Sequence, residues 1–142
     1  MARNISTIYI KAPAHRVWDT ITKAEFVKQW QYGSDLLTDW KIGSEIRFRT
    51  EWEGKVFEQW GKVLEIRPYE LIRYNLFAPR PGLEEKPENF FVMIYVLTIE
   101  NTRVKLEIIQ EDNRPGAVQE EPQGEENPLL NSLKNLAESP IF

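Results

Sequence analysis

The side chains able to do nucleophilic or acid–base chemistry are few and scattered. His15 is the single histidine, and there is no cysteine. One imidazole makes neither a metal set nor a catalytic relay, and no nucleophile elbow accompanies it. Its place opposite the Val17, Trp18 and Ile21 stripe of a short helix predicts a solvated residue. The sequence carries no phosphate-cradling loop and no dinucleotide fingerprint. No metal and no cofactor is therefore expected, and no catalytic residue is assigned. Thr50, Gln59, Tyr74 and Tyr95 are a different matter, because they interrupt apolar strands with neutral polar groups. A tyrosine hydroxyl polarises a carbonyl, as an aldol-type cyclisation requires. More often it packs and makes one hydrogen bond. An amide at Gln59, facing Phe48 and Val63, costs about 1–3 kcal/mol if it finds no partner. It therefore needs a protein group, a water or a ligand.

Alternating strands must position these groups. Residues 44–52 place Ile46, Phe48, Thr50 and Trp52 on one face and Glu45, Arg47, Arg49 and Glu51 on the other. With Glu53-Gly54 as a two-residue turn, Thr50 faces Phe57, Phe48 faces Gln59 and Ile46 faces Gly61. Behind them Arg49 meets Glu58 and Glu45 meets Lys62, opposite in sign. A turn at Arg67-Pro68-Tyr69-Glu70 sets Val63 against Tyr74 and Gly61 against Leu76. A third, at Asn101-Thr102, sets Ile99 against Val104, Leu97 against Leu106 and Tyr95 against Ile108. The inward face is then apolar apart from neutral groups, with ionisable carboxylates only near strand ends, at Glu65 and Asp112. Such a face lacks a buried acid or base poised near neutral pH, which argues against an enzyme. It suits a pocket for a small apolar or aromatic molecule or a lipid. The lining expected is Phe48, Thr50, Trp52, Phe57, Gln59, Tyr74, Met93 and Tyr95, with Leu133 from a final helix. Gly61 either makes room there or permits a bulge. On the outer face Trp60 and Phe77 fall opposite each other, near Leu64 and an Ile66–Leu71 pair. Arg47 is placed to stack on Trp60. That strip is either a partner surface, for a second copy or another protein, or a strip covered by a loop.

Helices bracket the strands. A strand over residues 4–11 is followed by Ala12-Pro13, which opens a helix. Thr22-Lys23-Ala24-Glu25 matches a capping box for a second short helix carrying Phe26, Val27 and Trp30. Asn127-Pro128 caps a last helix, whose face is Leu129, Leu130, Leu133, Leu136 and Ala137 and which Ser139-Pro140 ends. Residues 78–90 and 113–127, rich in Pro, Gly and Glu, read as exposed and mobile loops. The order is one strand, two short helices, about five or six antiparallel strands by segment counting, and a helix. This is an α+β chain in which sheet and helix each have one apolar face and need each other to leave water.

Composition sets the outer bounds. A length of 142 residues suits one domain over 1–142. A net charge of −4 disfavours a general nucleic-acid role. No stretch has the length of a membrane span, and the N-terminus lacks a signal-peptide apolar run, so a cytoplasmic protein is expected.

The opening KAPAHRVWDTITKAEFVKQW, with Ala12-Pro13, Val17-Trp18 and Trp30, resembles START-like, helix-grip domains of the Hsp90-ATPase-activator-homologue type. The segments DWKIGSEIRF, GKVLEIRPYELIRY, ENTRVKLEI and LLNSLKNLAES follow in the order that family shows. The resemblance implies a curved sheet gripping a C-terminal helix with a cavity between them. Two further readings come with it: a co-chaperone-like partner of an Hsp90-type ATPase, and a polyketide cyclase or aromatase type of enzyme. The family's tryptophan at the start of the last helix is not present. The acidic, proline-bearing 113–127 segment predicts that this helix is short or begins late.

Overall fold

A computed structural model describes residues 2–139. Seven antiparallel strands form one sheet: β1 (Ala2–Ile10), β2 (Asp35–Leu37), β3 (Glu45–Trp52), β4 (Lys55–Arg67), β5 (Leu71–Leu76), β6 (Phe91–Glu100) and β7 (Arg103–Asp112). Their order is β1-β7-β6-β5-β4-β3-β2. Helices α1 (Ala14–Thr22) and α2 (Ala24–Trp30) follow β1, and α3 (Pro128–Glu138) closes the described chain. One face of the curved sheet packs on the helices, which is the helix-grip arrangement. Among the described residues, no helix is long and apolar enough to cross a membrane.

The β3–β4 and β6–β7 registers follow the alternation. Thr50 pairs Phe57, Phe48 pairs Gln59 and Ile46 pairs Gly61. Leu97 pairs Leu106 and Tyr95 pairs Ile108. Glu53 and Gly54 both have positive φ, 49° and 77°, as a right-twisted two-residue hairpin turn requires. The β4–β5 turn departs from expectation. Arg67 pairs Leu71, leaving three turn residues, with Tyr69 at φ 67°. The shift is absorbed by an irregularity between Val63 and Glu65, so Val63 still meets Tyr74. Between the irregularity and the turn, the β4 side chains change face while those of β5 keep theirs. Glu65 thus pairs Arg73 and bonds it at 3.4 Å instead of facing inward, and Ile66 packs against the core instead of the outer strip.

The capping expectations divide. Asn127 caps α3, its Oδ1 accepting from the Leu129 and Leu130 amides. Its late start at Pro128 matches the expectation from the preceding segment. Pro140 lies outside the described residues. Pro13 is the N-cap of α1 rather than its first residue. The capping box does not form: Thr22 ends α1 and its hydroxyl donates back to the Trp18 carbonyl, 2.7 Å.

Both long connections are bonded to the sheet. The 113–127 segment runs along the edge strand β1. Thr7 N donates to Gln123 O (2.9 Å), Gln123 N to Ile5 O (3.1 Å) and Arg3 N to Gln119 Oε1 (2.8 Å). It thereby occupies backbone groups that an edge strand would otherwise present. The 78–90 segment crosses the outer face. Phe90 lies 5.5 Å from Phe77, and Trp60 Nε1 donates to Glu85 at 3.0 Å. Phe77 is only 3% exposed. The loop therefore buries Phe77 and leaves Trp60 half-buried, with Arg47 stacked 5.1 Å over the Trp60 ring.

Candidate functional site: a cleft between sheet and last helix

Aromatic side chains with polar tips tie the helices to the sheet. Trp30, 2% exposed, donates its indole N–H to Thr20 O at 2.8 Å. Trp40 donates to Thr22 O at 2.9 Å and sets its ring edge-on to Tyr74. Each indole satisfies its one donor on an α1 carbonyl, so the apolar body is free to pack. Phe48 and Tyr95 flank Tyr74 at 5.8 and 6.0 Å.

Trp30, Phe48, Tyr74 and Tyr95 border a cleft of about 530 Å³. The sheet supplies Phe48, Thr50, Phe57, Gln59, Tyr74 and Met93, and further along Leu76, Phe91, Tyr95 and Ile108. Ser6 and Gln110 close one side. Trp30, Gln31 and Ser34 form a wall from α2 and the turn after it, and Asn127, Leu129 and Leu130 form another from the start of α3. Among the described residues, no Asp, Glu, Lys, Arg or His lines it.

Seven of the nine lining residues expected from the alternation are there. Trp52 is not: it stands 66% exposed at the β3–β4 tip, paired with Lys55. Leu133 is not either. It is fully buried one helical turn deeper, in the solid core. Gln59 and Phe57 do line the cleft, but at its mouth, where both are exposed. The buried, partner-seeking amide expected at Gln59 is thus a solvated one. Gly61 makes no room: a Cβ there would fall on the backbone carbonyl of Asn75, so the glycine lets β4 and β5 approach. The alternation that turns Met93 and Ile108 inward also reaches Phe91 and Gln110. Trp30 is expected only as an apolar residue of α2, and Gln31 and Ser34 carry no such signal, because a turn after a helix has no fixed face.

The deepest polar groups are two hydroxyls. Tyr74 and Tyr95 are 3% and 5% exposed, and their oxygens lie 3.2 Å apart in a hydrogen bond. Burial pushes both phenols above their ordinary value, Tyr74 the further. At the end of β7, Asp112 accepts two bonds from the Arg114 guanidinium, at 2.9 and 2.7 Å, and this pairing holds its carboxyl below the usual range. Arg114 also stacks 4.3 Å over Phe91. The inward charge expected at Asp112 is therefore neutralised outside the cleft. His15 is exposed, and among the described residues no cluster of three His, Cys, Asp or Glu side chains could hold a metal.

Solved structures share the fold. A protein from Cytophaga hutchinsonii is 32% identical over 79% of this chain and 78% of its own, with a TM-score of 0.65. An Hsp90 activator from Plasmodium falciparum is 16% identical, covering 82% and 76%, with a TM-score of 0.63. The Aha1 dimer from Colwellia psychrerythraea is 16% identical, covering the whole of both chains, with a TM-score of 0.68. At 16% identity the last two show the fold alone. No curated protein matches the chain. The family model for Activator of Hsp90 ATPase homolog 1-like protein matches residues 11–138, nearly the whole length. The chain belongs to that family.

Proposed function

We propose that the protein binds a small, neutral, largely apolar molecule in the cleft between the sheet and α3. One observation carries this reading: the lining combines aromatic and aliphatic side chains with uncharged polar groups and contains no ionisable acid or base other than the two tyrosines. Apolar walls supply affinity, and a few neutral donors and acceptors orient what enters. Both tyrosines are held in their neutral form by burial. That favours binding over a proton transfer near neutral pH. The test is native mass spectrometry and thermal shift against a set of hydrophobic metabolites. A ligand at one hundred times its Kd should add about 2.7 kcal/mol of stability. Leu130→Lys, which puts a charge in the wall, should remove that shift. If no compound raises the Tm of the wild-type protein, the reading fails.

A second reading, association with another copy or with an Hsp90-type chaperone, is favoured by a different place. Trp52, Val56 and Phe57 are all exposed at the β3–β4 tip. Exposed aromatics clustered at one projection suit a protein partner. Similar folds include an Hsp90 activator and a dimer. Size-exclusion chromatography and a chaperone ATPase assay decide it. Trp52→Ala should weaken association or stimulation, and unchanged behaviour of that variant in both removes this reading.

A further inference from the structure

Two hydroxyl groups carry two protons, and the Tyr74–Tyr95 hydrogen bond uses one of them. Neither hydroxyl makes another hydrogen bond to the described residues. Among the described residues, Trp40 and Phe48 present rings to Tyr74, and Met93 and Ile108 are cross-strand partners of the pair. One donor is therefore not taken by any described residue, on two side chains that are 3% and 5% exposed and that both line the cleft. That proton is offered to whatever fills the cleft, and an occupant that displaces water without accepting it leaves a costly desolvated donor, so an acceptor is favoured. The hydroxyl that gives to the ligand also accepts from its neighbour, which polarises it toward donation.

We infer that the cleft selects its ligand by one uncharged oxygen acceptor, a ketone or aldehyde carbonyl, seated against the Tyr74–Tyr95 pair with an apolar body toward Leu76, Met93 and Leu130. This rests on the cleft-binding reading above and narrows it to a chemical class. Carboxylates are disfavoured, since the lining offers no cation to an ionised group leaving water. Hydrocarbons of the same shape fill the walls but leave the proton unused.

The experiment uses benzophenone, diphenylmethane and diphenylacetate as matched probes. Affinities are measured for the wild-type chain and for the double variant Tyr74→Phe, Tyr95→Phe. The ratio of ketone to hydrocarbon affinity should fall about fivefold in the double variant, with diphenylmethane binding retained. An unchanged ratio overturns the inference while leaving the cleft reading intact. Failure of the wild-type chain to bind either neutral probe overturns both. Diphenylacetate binding as tightly as benzophenone overturns the selection for a neutral acceptor. The carbonyl infrared band of bound benzophenone needs no variant. It should lie below its position in hydrocarbon solvent, and a band unmoved from that position overturns the inference.

Discussion

The two ends of the sheet's inner face are built from the same alternating pattern and reach opposite fates. At one end Ile10, Ile46, Val104 and Leu106 are fully or almost fully buried, with Leu133 and Ala137 of α3 among them. At the other, Thr50, Phe57 and Gln59 face the same way yet border solvent, and Trp52 stands clear. Length explains the difference. The 13 residues of β4 extend roughly 43 Å, whereas the 11 residues of α3 extend roughly 16 Å. A short, late helix covers only part of a long sheet. Alternation assigns a face to each residue but says nothing about what lies over that face.

The contrast can be broken by substitution. Leu106→Ala, at the covered end, should cost about 2–5 kcal/mol by chemical denaturation, through lost burial and a residual cavity. Gly61→Ala, between the two ends, should cost about 1–3 kcal/mol, because the added methyl falls on the Asn75 backbone and the strands must part. A neutral result there would show that β4 and β5 separate easily and that the cleft boundary is soft. Asp112→Asn, buried outside the cleft at the end of β7, should cost about 1 kcal/mol at neutral pH through the weakened Arg114 pairing. Because the folded carboxyl lies below its unfolded value, that contribution is present above about pH 4 and is lost as pH falls through the folded value. Acid denaturation of the variant should accordingly show a shallower pH dependence. Phe57→Ala, at the exposed mouth, should change stability by no more than about 0.5 kcal/mol, which a denaturant midpoint measures directly.

Alkali sharpens the same comparison from the floor of the cleft. Tyr74 and Tyr95 have folded values raised by burial, so the stability linked to them is complete below about pH 10 and declines as pH rises beyond it. Tyrosinate absorbance should show two phenols ionising late, and the double phenylalanine variant should lack that pair and lose less stability above pH 10.

Much of the architecture was legible because its signals are local. Glu53-Gly54 and Asn101-Thr102 fix their hairpins by backbone conformation, and each register follows from counting outward. Asn127-Pro128 fixes the start of α3 by supplying an acceptor and a preset φ. The β4–β5 connection resisted the same treatment. A three-residue turn plus an irregularity beside Leu64 gives the same Val63–Tyr74 pairing as a four-residue turn alone, so the sequence did not distinguish them. The difference reversed Glu65 and Ile66. The two long loops are largely exposed, as their composition implies, but their bonds to the sheet were not legible for a related reason. Their Pro, Gly and Glu content reports an absence of local periodicity, not an absence of partners. Gln119 and Gln123 find the β1 edge across more than a hundred residues of chain, which composition does not encode.

By itself the amino-acid sequence determined the element order, two hairpin registers and the neutral character of the inner face, because periodicity and turn chemistry act over a few residues, and its resemblance to START-like domains implied the helix-grip fold. Only the tertiary structure decided how much of that face α3 covers, that Phe90 and Glu85 close over Phe77 and Trp60, and that the Tyr74 and Tyr95 hydroxyls meet with one proton to spare. These depend on where distant segments end relative to one another, and such distances are set by packing rather than by any local pattern.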